Sequence, residues 1–357
     1  MKLTFVLPGG ARYPAGGARM VFRYANALAD RGHKVTIIMP SDLAPGSAGK
    51  RILRAGRFYL WAVTRTYLPE RWFRLRPSIR VHWRPTLSNR WAISADAVIA
   101  TSVRTAEMIA HWPATAGKKF YFVQGYETWD FSRERVEQSW QLPLRKFAVS
   151  QWLCDLIAEA GSTALHHRNS VDLQGFGLDE PVESRDPNTL LWPHHPLVQK
   201  GSSDVLAAME RVQTGPLTWK CAAFSTTSIP ADWPTYIAYH YNPTQTALRT
   251  AYNQASIMIA PSHSEGWGLP ACEALQCGCG LVATDIGGHR EFLRHEQNAL
   301  LYPPGDHEAL RLAILRLRSD TALRIRLARQ GHADMQALTL DPMVAKLECF
   351  LRGGEAV

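Results

Sequence analysis

The 357-residue chain contains no run of about 18 consecutive apolar residues, so no part of it reads as a membrane span. Its first residues, MKLTFVLPGGARYP, hold one lysine and an apolar run too short for the core of a signal peptide, and read as a first strand. None of the six cysteines stands in Cys-x-x-Cys spacing, which argues against a zinc site. The nearest pair, Cys277 and Cys279, reads as small residues packing a helix against a sheet, and reduced thiols in a cytosolic protein are the simplest account. The loop GGARYPAGG after the first strand is neither Gly-x-Gly-x-x-Gly nor a Walker loop, so dinucleotide and ATP binding find little support. No module signature of nucleic-acid binders is present either.

What the chain has is 46% hydrophobic residues and length enough for two cores. Its charge is uneven. Between Lys50 and Arg90 there are eleven basic residues (Lys50, Arg51, Arg54, Arg57, Arg65, Arg71, Arg74, Arg76, Arg80, Arg84, Arg90) against Glu70 alone, while the whole chain carries only +9. The same stretch, with the residue that follows it, holds Phe58, Tyr59, Trp61, Tyr67, Trp72, Phe73, Trp83 and Trp91. Arginines interleaved with aromatic rings suit the headgroup layer of an anionic membrane. They also suit single-stranded nucleic acid, which has no other support here, or a solvated basic face whose rings turn into the core.

The pattern along the chain alternates strand and helix. Lys2–Leu7, a helix from about Arg19 to Asp30 stopped at Gly32, and Lys34–Met39 form a βαβ unit, which implies a parallel sheet. Strands are expected at Ile79–Trp83, Ala97–Ala100, Phe120–Val123 and Phe147–Val149. The polar stretch Gly177–Asn188 reads as a linker. A second alternation follows, with strands Thr189–Trp192, Trp219–Phe224 and Tyr236–Tyr239 and helices Ser202–Arg211 and Thr244–Asn253. The expected fold class is α/β, two doubly wound Rossmann-like domains facing across a cleft: residues 1–176, residues 177–341, and a last helix, 342–357, returning to the first.

The most informative segment is SHSEGWGLPACEALQCGCGLVATDIGG, residues 262–288. Pro270 suits the first position of a helix, where its missing N–H costs nothing. That places Glu273 about one turn into the helix and leaves Glu265 in the loop before it. Gly266 and Gly268 let bare backbone approach a ligand. The unpaired N–H groups of the helix start, reinforced by its dipole, form an anion site. A diphosphate on those amides, with hydroxyl-rich sugars accepted by the two carboxylates, explains the whole arrangement. That ligand is a nucleotide-sugar.

The segment resembles the Glu-x7-Glu signature of the retaining GT-B glycosyltransferases of family four. It follows a strand ending in Pro261-Ser262 and continues into Gly278-Cys-Gly-Leu-Val-Ala-Thr-Asp285 and Gly287-Gly-His-Arg-Glu291, with Gly280 where the family has proline. Asn169-Ser-Val-Asp172 resembles the family's Asn-Gly-Val-Asp at the end of the first domain. The resemblance implies that Glu273 binds the ribose hydroxyls and Glu265 the sugar near its reacting carbon. Backbone at Gly266, Trp267, Gly268 and Leu269 would cover sugar and phosphate, and Lys200 in Gln-Lys-Gly would neutralise the phosphates. The family's arginine a few residues before that lysine is replaced by His194 and His195, so the clamp is expected to be weaker or pH-dependent. In the first domain, Gly16 and Gly17 (with Gly9 and Gly10) fit the family's glycine loop facing the cleft. Gln124-Gly-Tyr-Glu127 stands where many members have histidine, and resembles a branch that includes rhamnosyltransferases of surface-polysaccharide assembly. Gln124 would bond the donor; Glu127 either handles the acceptor's proton or caps the following helix.

The expected activity is metal-independent, retaining transfer of a sugar from a nucleoside-diphosphate sugar, as co-substrate and with no cofactor, to a glycan or lipid-linked glycan. The expected place is the cytoplasm, peripheral on the inner membrane face through residues 50–90, with no nucleic acid. The alternatives are an enzyme making a soluble sugar product and a non-catalytic glycan-binding protein of the same fold.

Overall fold

The computed structural model describes residues 1–354 except Arg12, residues 41–47, Tyr67 and residues 213–218. It divides into two compact units, Met1–Asn169 with Asp341–Val357, and Ser170–Leu340.

In the first unit the strands are β1 (Lys2–Val6), β2 (Lys34–Pro40), β3 (Arg80–Arg84), β4 (Ala97–Ala100), β5 (Lys118–Val123), β6 (Arg145–Ala148) and β7 (Ala164–His166). They form one parallel sheet in the order β3-β2-β1-β4-β5-β6-β7. The helices between them are α1 (Gly16–Asp30), α2 (Ala48–Val63), α3 (Val103–Ala110), α4 (Arg133–Trp140) and α5 (Gln151–Glu159). The central strand β4, Ala-Val-Ile-Ala, is buried along its whole length, as a sheet covered on both faces requires. Met20, Val21, Phe22, Tyr24, Ala25 and Leu28 form the buried stripe of α1, which ends where Gly32 takes a left-handed φ of 84°.

In the second unit the strands are β8 (Thr189–Pro193), β9 (Lys220–Ser225), β10 (Ile237–Tyr241), β11 (Ile257–Ala260), β12 (Gly280–Thr284) and β13 (Leu300–Tyr302), again wholly parallel, in the order β10-β9-β8-β11-β12-β13. The helices are α6 (Ser202–Val212), α7 (Gln245–Gln254), α8 (Leu269–Gln276), α9 (Gly287–Arg290), α10 (His307–Ser319) and α11 (Thr321–Gln336). Trp192, Met209, Ile259, Val282, Ile314 and Leu327 lie in its core. The pattern reading assigns no elements to the stretch that α10 and α11 occupy. In α11 the apolar stripe is broken by Arg324, which is buried because its guanidinium donates to the carbonyls of Leu317 and Arg318 at the end of α10.

Two expectations change. Residues 177–188, expected at the start of the second domain but as a linker, are packed into the second unit. Arg185 is buried there and donates to the carbonyls of Tyr252 and Ala255 at the end of α7 and of Cys277 and Gly278 at the end of α8. Charge in this stretch serves two helix C-termini that would otherwise be buried without donors. The rings of residues 50–90 mostly turn inward. Phe58 is buried, Trp72 and Phe73 pack on Phe22, and Trp72 Nε1 donates to the carbonyl of Ala11. Tyr67 lies outside the described residues.

The final helix, α12 (Leu340–Arg352), brings Phe350 against Phe120 of β5, ring centroids 5.5 Å apart, and under the Arg145 guanidinium at 4.3 Å. Phe350→Ala is expected to cost the first unit about 3 kcal/mol. Urea unfolding followed unit by unit checks this, since two units need not melt together; an unchanged midpoint would remove α12 from that core.

Candidate active site

In a doubly wound sheet the crevice lies beyond the carboxyl ends of the two strands where the order reverses. In the second unit those strands are β8 and β11. The chain leaving β8 runs through His194 and His195 to a turn, Val198–Lys200; the chain leaving β11 enters the loop that carries Glu265. Gly201 joins them. Its φ is 62°, and a Cβ there would stand 2.0 Å from the carbonyl oxygen of Pro261, so only glycine lets the two segments touch. The amide of His263 donates to the carbonyl of Gln199 at 2.8 Å, closing the contact.

That contact puts Lys200 Nζ 2.7 Å from Glu265 Oε1, an oxygen that also accepts from the Ser262 hydroxyl at 2.8 Å. Burial pushes the Glu265 carboxyl up, but the charge and hydrogen bond of Lys200 and the Ser262 hydroxyl outweigh it and hold the group below the usual carboxylate range. The same loop is braced from the side: the buried Asp204 of α6 lies 2.6 Å from His263 Nε2 and 3.3 Å from His307 Nε2.

The loop turns into α8 through Gly268, whose φ of 105° few other residues tolerate. Pro270 takes the second helical position rather than the expected first, where its missing N–H is equally free of cost. No side chain caps this helix start. Gly266, Trp267 and Gly268 are buried and Leu269 half-buried. The Trp267 ring stacks on Phe292 and its Nε1 donates to Cys272 Sγ at 3.1 Å, so what this tryptophan can offer a ligand is backbone. Gly288 packs on the same loop, with the Glu265 carbonyl 2.3 Å from where its Cβ would be.

Glu273, in α8, is buried and accepts from the Tyr252 hydroxyl at 3.2 Å. Burial and the Glu273 charge raise the tyrosine well above its ordinary value, so it stays a donor. The sequence reading passed over Tyr252, which carries no local signal, and His289, which sits inside the Gly-Gly-x-x-Glu motif. His289 is buried beside Gly268, and its Nδ1 lies 2.8 Å from the Thr284 carbonyl. A carbonyl only accepts, so Nδ1 carries the proton; burial keeps the ring neutral, which leaves Nε2 an acceptor facing Gly268.

The two histidines do not form a cationic clamp. His194 is buried edge-on against Trp233 and Tyr239, and burial lowers its pKa. His195 is lowered by burial and then by Lys200, and its Nδ1 accepts from the amide of Leu197 at 3.1 Å. Burial drives both toward the neutral form, and for His195 the Lys200 cation adds to it.

In the first unit, Gly16 and Gly17 open α1, which has no side-chain cap and no acid in its first turn. Gly17 lies against Gln124: a Cβ there would stand 3.3 Å from Gln124 Nε2. The structure thus brings the glycine loop and Gln124 together. Glu127 caps a helix, but the preceding one: its carboxylate accepts from the amide of Val103 in α3 at 3.1 Å, while Ser132 caps α4. Burial pushes the Glu127 carboxyl up to about 7.

Among the described residues no cluster of three His, Cys, Asp or Glu side chains is arranged to hold a metal ion. Residues 236–334 match the family described as Glycosyl transferases group 1. The chain is 25% identical to a glycogen synthase of Mycobacterium tuberculosis (strain H37Rv), over 91% of this chain and 87% of that one. It is 33% identical to a D-inositol 3-phosphate glycosyltransferase of Thermomonospora curvata, over 29% of this chain and 24% of that protein. Among solved structures, HepE of Anabaena in complex with UDP-glucose aligns over 99% of both chains with a TM-score of 0.76 at 15% identity. Sucrose-phosphate synthase from Thermosynechococcus elongatus aligns over 99% of this chain and 98% of its own, with a TM-score of 0.73 and 15% identity. These likenesses show the GT-B fold.

Two expectations follow from this geometry. Gly201→Ala forces a side chain into the Pro261 carbonyl and is expected to cost at least about 2 kcal/mol, read by urea unfolding. For Glu127, the folded state holds a proton up to about pH 7, whereas an exposed glutamate releases it near about 4.3. Between these values the folded state binds more protons than the unfolded one, so Glu127 makes stability fall as pH rises. Glu127→Gln should remove that slope from a plot of urea midpoint against pH.

Proposed function

Taking the chain as a group 1 glycosyltransferase of the GT-B fold, as these matches support, we propose that it moves a sugar, with retention, from a nucleoside-diphosphate sugar to a glycan or lipid-linked glycan of the cell surface. The observation that carries this reading is the Lys200–Glu265 contact beside the uncapped N-terminus of α8, with Glu273 one turn further on. Here the second unit is the donor domain and the first is the acceptor side.

In this reading the diphosphate lies on the amides of Gly268 and Leu269 and on Lys200, which needs no metal. Glu273 accepts from the ribose hydroxyls and Glu265 from the transferred sugar, whose identity, rhamnosyl or another, depends on pocket shape. The bond from the anomeric carbon to phosphate breaks as the acceptor oxygen bonds the same face, and the acceptor's proton passes to the leaving phosphate oxygen. The protein's contribution is position and fixed positive charge. On the first unit's side, Gln124 beside Gly16 and Gly17 orients donor or acceptor. Glu127, with its carboxyl raised to about 7, assists the acceptor's proton only once ionised. The acceptor lies at the inner membrane face, held there through the basic region 50–90.

A second reading is an enzyme with a soluble product. It is supported by the relative named glycogen synthase, which matches along nearly the whole chain. Both readings share the donor site.

A thermal-shift panel with UDP, GDP, ADP and dTDP, each with and without EDTA, tests that site. The matching nucleotide at a hundred times its Kd should stabilise the protein by about 2.7 kcal/mol, EDTA should change nothing, and Glu273→Ala should lose the shift. No shift with any nucleotide would favour a non-catalytic protein of this fold.

A further inference from the structure

Most rings of the basic region pack at least partly inward, yet one of its elements turns apolar side chains outward. In α2, Ile52, Leu53, Tyr59, Leu60 and Val63 are 71%, 76%, 65%, 59% and 66% exposed. At helical spacing these five share one side, with Gly56 between them facing open space. The helix is anchored by its other side, where Phe58 is buried and the Trp61 ring lies 4.8 Å from it. The stripe is therefore not the packing face of α2. Soluble proteins rarely leave so many large apolar residues together in water.

The charge of the same helix selects what covers the stripe. Its sequence, AGKRILRAGRFYLWAV, holds Lys50, Arg51, Arg54 and Arg57 and no acid. Arg57 is exposed, with its guanidinium 5.0 Å from the Trp61 ring, at the border of the stripe. Pairing with a second copy would set two such cationic helices against each other, which their repulsion opposes. An anionic surface with an apolar interior accepts both features together. A helix of 16 residues is too short to cross a bilayer, and no helix among the described residues is long and apolar enough to do so.

We propose that α2 lies in the plane of an anionic bilayer, with Ile52, Leu53, Tyr59, Leu60 and Val63 inserted below the headgroups and Arg57 at the border of the stripe meeting lipid phosphate. This deepens the membrane part of the proposed function by naming the element that docks. It moves the contact from the tryptophans, which are half-buried, to a stripe of four aliphatic side chains and Tyr59.

The test is flotation of the full chain with vesicles of phosphatidylcholine alone and with roughly a third phosphatidylglycerol, at roughly 0.15 M and 1 M salt. Wild type should float with the anionic vesicles at low salt, and Leu53→Glu/Leu60→Glu should reduce the bound fraction by about tenfold or more. Arg57→Glu should weaken binding at low salt and matter less at high salt. All these side chains are exposed, so the variants should keep the wild-type melting midpoint and nucleotide shift. The proposal is overturned if wild type fails to float with anionic vesicles, if the double variant floats as well as wild type, or if wild type is a dimer that the double variant makes monomeric. A wild type that floats but shows no nucleotide shift would sink the transferase reading and leave this one standing.

Discussion

Everything at the candidate site of the second unit rests on one close approach of backbone to backbone. The turn ending at Lys200 meets the loop beginning at Pro261 because Gly201 has no side chain to hold them apart. Through that contact a lysine and a glutamate 65 positions apart become an ion pair at 2.7 Å. The contact also bears on the histidines. Burial pushes His194 and His195 toward neutrality, and beside His195 the lysine cation makes a second positive charge still less favourable.

The fold places this contact rather than merely surrounding it. Parallel strands deliver their carboxyl ends to one edge, and the reversal between β8 and β11 opens room there. Around it the side chains brace one another. Asp204 ties α6 to His263 and His307, Thr284 orients His289, and Tyr252 holds Glu273. Each brace uses a buried polar group with a named partner.

The glycines and acids of residues 262–288 were readable in sequence because their chemistry is local. A strand, a turn that needs positive φ at Gly268, and a helix start follow one another within a few residues, and each leaves its own mark. Where a side chain points was not readable. Glu127 is followed by a helix, and a cap on it was a fair expectation; the carboxylate instead meets the amide of Val103, 24 positions earlier. The charged stretch 177–188 has the composition of a linker, yet Arg185 closes the ends of two helices that lie far ahead of it in the chain. In residues 50–90 composition distinguished no inside from outside: it held rings and arginines, and the fold buried Phe58, half-buried the tryptophans and left Tyr59 with four aliphatic side chains of α2 exposed.

By itself the sequence determined the α/β class, the two parallel sheets and the motif that opens α8. Periodicity, glycine positions and helix-start chemistry act between near neighbours, so they survive without knowledge of the rest. Tertiary structure decided which charges pair, which histidines stay neutral and which apolar residues remain in water. These depend on distances between segments far apart in the chain, and electrostatic energy and burial respond to those distances rather than to separation along the sequence.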